Sequence, residues 1–399
     1  MEKLPPNFVK TFIRYTNILR FIGLDICYEG DKTFVKKYGR LFIFNAIYLP
    51  VLVGQVMYIT MSNRTGATFL EVANAAPSTV LSLQDAVKMI AIFFKQDKIR
   101  VVIVNIGEIW SNRIESEKNN KTLKTWLRRL KISDTVIFTC AVMSLFVFQL
   151  APLLLTIHDI NKGNEDVKYM FPLQSYFFCW INSHFVYALA FLHACTTSCL
   201  IHMALYVACD CLLIALTFVL STLLHLLEED LEDAVNIYEK EGEQSLNKIK
   251  HVVATHQKLL WLAKELNNIF GMQIFLYLSF SSIIICWFGF LTVVDHELLL
   301  KNLLALSYVM FAIWSLCWPG QLLADTSYGI CEAAYRSVWY TKDVKLRRYI
   351  VIIMNRAQKA CYLSALGFSD LTLANFAKVL STSWSFLSLI NQMYQNLEV

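Results

Sequence analysis

The stretch TVIFTCAVMSLFVFQLAPLLLTI, residues 135–157, contains no Asp, Glu, Lys or Arg over 23 positions. A helix needs roughly 20 apolar residues to cross the hydrocarbon core of a bilayer, so this stretch predicts a membrane span. The sequence therefore predicts an all-α polytopic membrane protein. Five other uncharged stretches of comparable or greater length occur at residues 41–60, 171–209, 269–294, 302–324 and 379–397.

The composition of the 399 residues agrees with this class. Hydrophobic residues make up 56% and charged residues 17%, whereas a soluble domain has about 45–50% and about 25%. The net charge of +5 is small and dispersed, which argues against a nucleic-acid partner. The chain has no Gly-rich phosphate loop, no Gly-x-Ser-x-Gly elbow and no His-Glu-x-x-His helix. We therefore predict no enzyme activity, no catalytic residue and no cofactor.

A seventh span is predicted at residues 68–94, although this segment contains Glu71, Asp85 and Lys88. Asp85 and Lys88 are three residues apart, so they share a helix face and can pair. A charge in mid-membrane costs roughly 2.5–3.5 kcal/mol. Near one end of the span, long side chains can reach water and lower that cost. Counting this segment gives seven transmembrane helices.

Two segments need separate treatment. Residues 171–209 are too long for one perpendicular span, and we expect one tilted helix that continues into the cytosol through about Leu227. Residues 1–40 contain no apolar signal-peptide core. They form an amphipathic cytoplasmic segment with a short helix at the membrane interface. The apolar residues of that helix are Phe8, Phe12, Tyr15, Leu19 and Ile22.

The orientation of the chain follows from its basic residues, because Lys and Arg are enriched in cytoplasmic loops. One set of loops contains 28 Lys and Arg residues, and the alternating set contains four. This asymmetry predicts a cytoplasmic N-terminus and an extracellular C-terminus. Asn63 begins a glycosylation sequon in an outside loop and is a candidate for modification. The basic set comprises residues 1–40, 95–131, 225–268 and 323–349, and the other set residues 61–68, 158–170 and 294–301.

Cysteine and histidine spacing does not predict a metal site. Cys209-Asp210-Cys211 and the pair Cys195 and Cys199 come nearest to ligand spacing, but a thiol in an apolar helix usually packs as a small hydrophobe. His184, His193 and His202 recur every nine residues, so His193 lies on the face opposite to the other two. Their geometry does not converge on one ion. A satisfied core histidine is the ordinary interpretation of each, and His184 is the best placed to meet a ligand.

The last uncharged stretch carries a polar strip. At about 100° per residue, serine and amide side chains fall on one side of the helix, and two apolar residues four apart flank them. Such a strip can pack against another helix through small polar residues. It can also line a pore closed by an apolar ring, which requires an oligomer. The pore and gate candidates are Ser385, Ser388, Leu389, Gln392 and Met393.

Two motifs resemble those of insect odorant receptors. TSYGICEAAY at residues 326–335, followed by Trp339-Tyr340, resembles the signature after the sixth helix of that family. FAKVLSTSWSF at residues 376–386 resembles the last helix, with Trp384 where tyrosine is commoner. The whole chain is also similar to this family in its size and in its cytoplasmic N-terminus. It shares the long second cytoplasmic segment and the abrupt extracellular end as well. The related gustatory receptors have a Thr-Tyr-x5-Gln-Phe ending, of which Gln392 alone is intact here, and this favours the odorant branch.

The resemblance implies a ligand-tuning subunit, since the chain is shorter than the family's shared co-receptor and lacks its extended cytoplasmic loop. Tuning subunits assemble with the co-receptor into tetramers that act as odorant-gated, non-selective cation channels in the plasma membrane of olfactory neurons. The implied partners are the co-receptor, a small volatile or semi-volatile ligand and membrane lipid. A gustatory-type homomeric channel and an inverted seven-helix receptor coupled to cytosolic signalling remain alternatives.

The resemblance also implies a division of the chain and two sets of contacts. The predicted parts are the N-terminal segment 1–40, helices one to four in 41–227, helices five and six in 269–324, the pore-lining helix 379–397, and a cytosolic subunit anchor in 210–268 and 327–378. The family's ligand pocket lies in the outer half of the bundle, which selects Ala75, Thr79, Leu83, Phe146, Leu150, His184, Tyr187, Tyr308 and Phe311. Each of these is equally consistent with core packing. For subunit contacts we expect Tyr335, Val338, Trp339, Tyr340 and Tyr349.

Overall fold

The computed structural model describes residues 5–26, 34–62, 68–114, 117–162, 169–176, 183–236 and 242–398. Nearly all of this described chain is helical. The candidate glycosylation site Asn63 lies outside the described residues and stays a prediction.

The described residues form nine α-helices and one short β-hairpin. Helix α5 is continuous but contains two π-helical segments, Ser198–His202 and Tyr206–Cys211. The helices are α1 Pro6–Ile22, α2 Phe34–Thr60, α3 Phe69–Ile114, α4 Glu117–Asn161, α5 His184–Asn236, α6 Gly242–Val294, α7 Leu299–Arg336, α8 Val344–Ala357 and α9 Leu373–Glu398. The strands are β1 Ser364–Ala365 and β2 Ser369–Asp370, paired antiparallel.

Seven of these helices form the main bundle. Helices α2, α4, α5, α6 and α7 are long and apolar enough to cross a membrane by length and composition. Helix α3 carries the internal charges noted above, and α9 carries the polar strip. Both belong to the bundle, because α3 packs along α6 and α2, while α9 packs on α6 and α7. The predicted all-α polytopic fold is confirmed.

Helix α1 forms as expected, but its environment differs from the prediction. The five apolar residues expected at the membrane interface are buried in the protein, with Phe8 5.8 Å from Trp110 between ring centroids. Arg14 lies 2.9 Å from Asp134 of α4, and the Tyr15 hydroxyl donates to the same carboxylate. Burial, reinforced by Asp134, raises the pKa of Tyr15, which keeps this hydroxyl protonated as a donor. The apolar face is removed from water by protein instead of lipid.

The start of α5 also differs from the prediction. Residues 169–176 are not helical, and α5 begins at His184 instead of residue 171. Pro172 explains part of this, because proline lacks an N–H and disfavours helical geometry in the residue before it. Ser183 caps the helix by accepting a hydrogen bond from the Val186 N–H. The predicted continuation through Leu227 is confirmed, since α5 extends to Asn236.

The first half of α6 is a packing seam that charge counting did not reveal. Buried residues recur there at alternating steps of three and four, the spacing of a coiled-coil seam. This half precedes the uncharged stretch 269–294, and its Lys258 pairs with Glu108 of α3. The buried residues at this spacing are Ile249, Val252, His256, Leu259, Ala263 and Leu266, and Leu262 beside them is also buried.

The hairpin connects α8 to α9 and was not predicted. Its turn contains Leu366 and Gly367, both with positive φ, and glycine adopts that conformation at no steric cost. The backbone oxygen of Leu371 then lies against Gly320 of α7, where a Cβ atom would come within 2.2 Å of it. Thr372 accepts a hydrogen bond from the Asn375 N–H at the start of α9. These contacts hold the start of α9 against α7.

Candidate functional site

A cavity of about 120 Å³ lies inside the bundle between α3, α4, α5, α6 and α7. That is roughly ten times the space that one water molecule needs, so a small organic molecule has room there. Each helix contributes residues at steps of three and four, which is the spacing of one helix face. The lining residues are Ser78, Leu81, Gln84, Asp85 and Lys88 of α3, Ala141, Ser144, Leu145 and Phe148 of α4, Leu173 before α5, Ser198, His202, Met203, Tyr206 and Asp210 of α5, Tyr277, Ser281, Ile284 and Phe288 of α6, and Ala305, Tyr308, Val309 and Ala312 of α7.

One end of the cavity carries a cluster of ionisable side chains. Lys88 Nζ donates to Asp210 Oδ2 at 2.6 Å and lies 3.5 Å from Asp85 Oδ1. His202 Nδ1 hydrogen-bonds the second oxygen of Asp85. The second oxygen of Asp210 accepts a hydrogen bond from Gln273 Nε2 at 3.0 Å. All four carboxylate oxygens of the cluster therefore have a partner.

The cluster corrects one expectation and confirms another. Asp85 and Lys88 do pair, as their spacing indicated. They do not reach water at the end of the span, because both are buried together with Asp210. The cost of burying these charges is offset by their mutual contacts, and Lys88 also lies 5.0 Å from the centre of the Tyr277 ring. Among the described residues, no three His, Cys, Asp or Glu side chains are grouped to hold a metal ion.

Two polar atoms beside this cluster have no hydrogen-bond partner among the described residues. Gln84 Oε1 and the Tyr206 hydroxyl are buried, with residue exposures of 2% and 8%, and neither makes a hydrogen bond. Buried polar groups are paired in the great majority of cases, so each such exception needs an explanation. Both residues line the cavity. The Tyr206 ring lies 6.3 Å from that of Tyr308, another lining residue.

The opposite end of the cavity is apolar. Phe148 of α4 and Phe288 of α6 meet edge to face there, with 6.4 Å between ring centroids. Lys301 Nζ lies 5.1 Å from the centre of the Phe148 ring on the side away from the ion cluster. The cavity as a whole is therefore amphipathic: aromatic and aliphatic side chains line it together with the ion cluster and four serine hydroxyls.

The two π-helical segments of α5 form one wall of the cavity. Ser198 and His202 lie in the first segment, and Tyr206 and Asp210 lie in the second. These four residues recur every four positions and all line the cavity. A π-turn is wider than an α-turn because its hydrogen bonds close over five residues, and such turns occur frequently at functional sites. The wider turns keep this four-residue repeat on one face.

The structure brings one of the predicted ligand residues to the cavity. Tyr308 lines it, whereas the other eight do not. Ala75 and Thr79 are buried in α3 next to the lining residue Ser78, and the Thr79 hydroxyl donates to the Ala75 carbonyl. Of the remaining helix residues, Leu83 and Phe146 are exposed, and Leu150 and Phe311 are half-buried.

His184 and Tyr187 lie at the start of α5, outside the cavity. His184 is exposed, and its Nδ1 is 3.0 Å from the Tyr169 hydroxyl. Tyr187 is buried, and its hydroxyl donates to the Met170 carbonyl at 3.0 Å. Tyr187 also borders a separate apolar crevice with Phe191. Through these hydrogen bonds, both side chains hold the non-helical segment 169–176 against the start of α5.

Sequence reasoning missed most of the polar lining, although a signal was present. Asp85 and Lys88 are charges inside an apolar span, and Asp210 directly follows the longest uncharged stretch. Intramembrane charges mark functional sites and imply partners. The partner of Lys88 lies 122 residues away in the chain, so its identity depends on the fold.

The polar strip of α9 is left uncovered by the part of the chain that the structure describes. All five pore candidates are exposed, with Leu389 at 52% and Met393 at 59%. The other side of α9 packs on α6, where Ser383 contacts Ser282 at 2.9 Å and Leu387 is buried. Phe386 is exposed as well. One amphipathic face of α9 is thus free to meet another molecule.

The residues expected at subunit contacts lie around the end of α7. Tyr335, Val338 and Tyr340 are exposed, which suits a contact surface. Trp339 and Tyr349 are half-buried and pack against the main core. The surface is adjacent to an ion pair between Arg336 of α7 and Glu232 of α5, with nitrogen and oxygen 2.8 Å apart.

A helical bundle with an internal amphipathic cavity and an uncovered polar helix face is typical of a polytopic receptor of the seven-helix type. Residues 68–384 match the family model described as 7tm Odorant receptor, which is more than half of the chain. The protein belongs to the insect odorant receptor family.

Similar proteins support this assignment. The chain is 26% identical to Odorant receptor 85c of Drosophila melanogaster over 363 residues, covering 89% of this chain and 91% of that protein. It is 38% identical to Odorant receptor 85b of the same species over 145 residues, or 36% of this chain and 37% of the relative. The fold is similar to that of the olfactory receptor OR5 from Machilis hrabei in complex with eugenol, with a TM-score of 0.80 and 15% identity over 97% of this chain and 98% of that one.

Proposed function

We propose that this chain is the odorant-binding, tuning subunit of a heteromeric, odorant-gated, non-selective cation channel, assembled with the odorant receptor co-receptor in the plasma membrane. The cavity between the helices is the observation that carries the proposal. Ligand sites are mostly apolar, with a few placed polar groups that orient the ligand, and this cavity has that composition. The OR5 structure contains eugenol, which supports a small organic ligand for the present chain.

The ligand residues of this proposal differ from those predicted from the sequence. Tyr308 is retained, because it lines the cavity and its ring meets that of Tyr206 edge to face. Gln84 and Ser281 replace the residues that face elsewhere. The proposal leaves His184 out of the ligand site, since its ring is exposed and hydrogen-bonded to Tyr169.

The uncovered face of α9 supports a channel. One helix cannot line a pore, so the proposal places copies of α9 from several subunits around an axis. Leu389 and Met393, one turn apart, would then form an apolar constriction that closes by excluding water. Gln392 lies beside them and would contact passing ions. The Ser385 and Ser388 hydroxyls donate to backbone carbonyls one turn earlier, which leaves their lone pairs facing outward.

The membrane orientation and the subunit contacts belong to the same proposal. The excess of Lys and Arg in one set of loops supports a cytoplasmic N-terminus and an extracellular C-terminus. In that orientation the cavity lies around the middle of the membrane-spanning bundle, and the exposed Tyr335, Val338 and Tyr340 lie on the cytosolic side. We assign these three residues to contacts between subunits. Trp339 and Tyr349 pack against the main core next to them.

Voltage-clamp recording tests the proposal. The chain is expressed alone and together with the co-receptor, and a broad odorant panel is applied with cytosolic nucleotides dialysed away. Odorant-evoked cation current is expected only in the co-expressed cells. Current from the chain alone would favour a homomeric channel, and current that disappears on dialysis would favour coupling to cytosolic signalling.

A pair of variants tests the location of the ligand site. Tyr308→Ala is expected to raise the half-maximal concentration of an active odorant by more than tenfold, which corresponds to about 1.4 kcal/mol. His184→Ala serves as the matched control and should leave potency unchanged. Surface labelling confirms that both variants reach the membrane. An effect at His184 without one at Tyr308 would place the ligand at the start of α5.

A further inference from the structure

We infer that an exposed row of basic side chains at the start of α4 binds the anionic headgroups of phospholipids in the cytosolic leaflet of the membrane. From the proposed function the inference takes only the orientation, in which this part of α4 lies on the cytosolic side. The basic row consists of Lys121, Lys124, Arg128 and Lys131.

The basic row lies on one face of α4. Its residues follow one another at steps of three, four and three, which is the spacing of one helix face. All four are exposed, whereas Leu123, Trp126 and Leu130 on the opposite face are buried. Residues 118–133 contain no Asp or Glu, and among the described residues none of the four side chains makes an ion pair or a hydrogen bond.

This arrangement carries a cost that an external anion removes. Like charges three or four residues apart on a helix repel each other and destabilise it. The neighbouring charges do not relieve the repulsion. Arg129 lies beside the row with its guanidinium 5.4 Å from the centre of the Trp126 ring. Asp134, the first acid after the row, contacts Arg14 of α1 at 2.9 Å. The basic row therefore retains its charge for a molecule outside the described chain.

The exposed side chains along α4 mark the depth of the membrane surface. Beyond the basic row the large exposed side chains are apolar, with Ile132 at 54% and Val136 at 47%. The uncharged stretch 135–157 extends over about 34 Å, close to the hydrocarbon thickness of about 30 Å. Lys131 and Arg128 precede it by four and seven residues, or about 6 and 10 Å along the helix axis. The headgroup layer extends about 5–8 Å beyond the core, so Lys131 lies in it and Arg128 lies at its aqueous edge.

Helix α1 marks the same depth independently. Its Arg14 contacts Asp134, which directly precedes the uncharged stretch of α4. The side of α1 that faces away from the protein exposes Ile13 at 48% and Phe21 at 59%. Apolar side chains on a helix at the edge of a span are favoured at the boundary between headgroups and acyl chains. Both helices therefore place the membrane surface one turn from Lys131.

The length and chemistry of the basic row fit phosphate-bearing headgroups. Clusters of about four to eight basic residues directly cytosolic of a span are typical of binding to phosphatidylserine and phosphoinositides. Arg128 can hold a phosphate through two parallel N–H bonds. The row extends over about 15 Å from Lys121 to Lys131, which is long enough for more than one phosphate. A multiply phosphorylated phosphoinositide is therefore expected to bind more tightly than phosphatidylserine, and neutral phosphatidylcholine should bind least.

Fluorescent short-chain lipids, titrated into the detergent-purified full-length chain, test the inference through fluorescence anisotropy. The probes are phosphatidylinositol bisphosphate, phosphatidylserine and phosphatidylcholine with identical acyl chains. The dissociation constant is expected to be lowest for the first and about tenfold or more higher for phosphatidylcholine. Raising the salt from about 0.1 to 1 M shortens the Debye length from about 10 to 3 Å and should weaken binding of both anionic lipids. Soluble inositol trisphosphate has the phosphates but no acyl chain, and it should compete weakly.

Removing the three charges nearest the membrane should abolish the preference for anionic lipid. Glutamine keeps a long polar side chain at each exposed position, and the dissociation constant of phosphatidylinositol bisphosphate is expected to rise by about tenfold or more. A second variant exchanges Lys and Arg, keeps all three charges and should retain the affinity. The glutamine variant is Lys124→Gln, Arg128→Gln and Lys131→Gln, and the exchange variant is Lys124→Arg, Arg128→Lys and Lys131→Arg.

Three basic residues at the start of α8 provide the matched control. They are exposed and belong to the proposed cytosolic side, like the basic row. Helix α7 continues to Arg336, about 18 Å past its uncharged stretch 302–324, and α8 begins after it. These charges therefore lie beyond the reach of the headgroups, and their removal should leave the lipid affinity unchanged. The control variant is Lys345→Gln, Arg347→Gln and Arg348→Gln.

Several outcomes would overturn the inference. One is equal affinity for phosphatidylcholine and the two anionic lipids. A second is the same loss of affinity in the glutamine variant and the α8 variant, since binding would then follow net charge alone. A third is unchanged affinity in a glutamine variant that unfolds at the temperature of the unmodified chain. Competition by inositol trisphosphate at the concentration of the lipid would assign the row to a soluble anion instead. If the glutamine variant does not fold, the ranking of the three lipids and the exchange variant decide.

The lipid measurements are independent of odorant-evoked current. Absence of current with every odorant tested would overturn the proposed function and leave the lipid site in place. Labelling of an N-terminal tag on intact cells would overturn the proposed orientation, and with it the assignment of the basic row to the cytosolic leaflet.

Discussion

Replacing Lys88 by methionine should be among the most damaging single substitutions in the bundle. Lys88 is buried and contacts Asp210 at 2.6 Å and Asp85 at 3.5 Å. Methionine has a similar length but no charge, so it would leave two buried carboxylates with His202 and Gln273 as their remaining partners. Removing one member of a buried ion pair typically costs roughly 3–5 kcal/mol. We expect a loss of that size in the free energy of unfolding.

A second lysine in the same chain provides the control. Lys258 pairs with Glu108 at 3.1 Å, but their side chains are 39% and 57% exposed. Exposed pairs contribute roughly 0.2–1 kcal/mol, so Lys258→Met should have a small effect. The assay is thermal unfolding of detergent-purified protein followed by tryptophan fluorescence, with the amount at the cell surface as a second measurement.

A rescue experiment checks the reason for the loss. Adding Asp85→Asn and Asp210→Asn to Lys88→Met removes the uncompensated charges and should recover most of the lost stability. If Lys88→Met unfolds at the same temperature as Lys258→Met, the buried charges are not mutually compensated in the way the distances indicate. If the triple variant is no better than the single one, lost packing and not lost charge compensation is the cause.

The remaining predictions concern orientation, gating and packing. An epitope tag after the last residue should label on intact cells, whereas a tag before the first residue should need permeabilised cells; the reverse pattern would contradict the proposed orientation. Leu389→Ser should raise odorant-independent current in voltage clamp, while Leu366→Ser, equally exposed but in the hairpin, should not; equal basal currents would remove α9 from the pore. Gly320→Ala should lower the yield of folded protein, because its Cβ would lie 2.2 Å from the Leu371 carbonyl oxygen. The control is Gly39→Ala, where nothing lies within 4 Å of the added atom, and it should be neutral or stabilising by about 0.5–1 kcal/mol. A comparable loss of folded protein in both variants would show that the contact with α7 is not responsible.

The helices of this fold could be predicted largely from the distribution of charge. Uncharged stretches located six of the bundle helices, and the span with Asp85 and Lys88 was recognised from its apolar spacing. The environment of α1 could not be found in this way, because an amphipathic face has the same pattern whether lipid or protein covers it. The start of α5 was misplaced since Pro172 and the cap at Ser183 mattered more than the absence of charge.

The candidate site was likewise predictable only where it depends on the pattern of a single helix. The strip of α9 was predictable because it depends on the periodicity of a single helix, and all five of its pore candidates are exposed. The cavity depends on how five helices are rotated about their axes relative to each other. The sequence prediction chose residues by their depth along each helix and so selected Ala75 and Thr79. The actual rotation of α3 about its axis turns Ser78 and Gln84 toward the cavity instead. The π-turns of α5 shift that rotation further and leave no trace in apolar spacing.

The length of α6 has a consequence for how the molecule responds to force. Its 53 residues make a rod roughly 80 Å long at 1.5 Å per residue. The hydrocarbon core of a bilayer is about 30 Å thick, so more than half of the rod stands outside it. Tyr277 and Ser281, on the part inside the bundle, line the cavity, and the buried seam from Ile249 to Leu266 lies on the part outside. A tilt of α6 at one end therefore displaces its other end sideways. The membrane bundle and the aqueous end of the protein are mechanically coupled through this one helix.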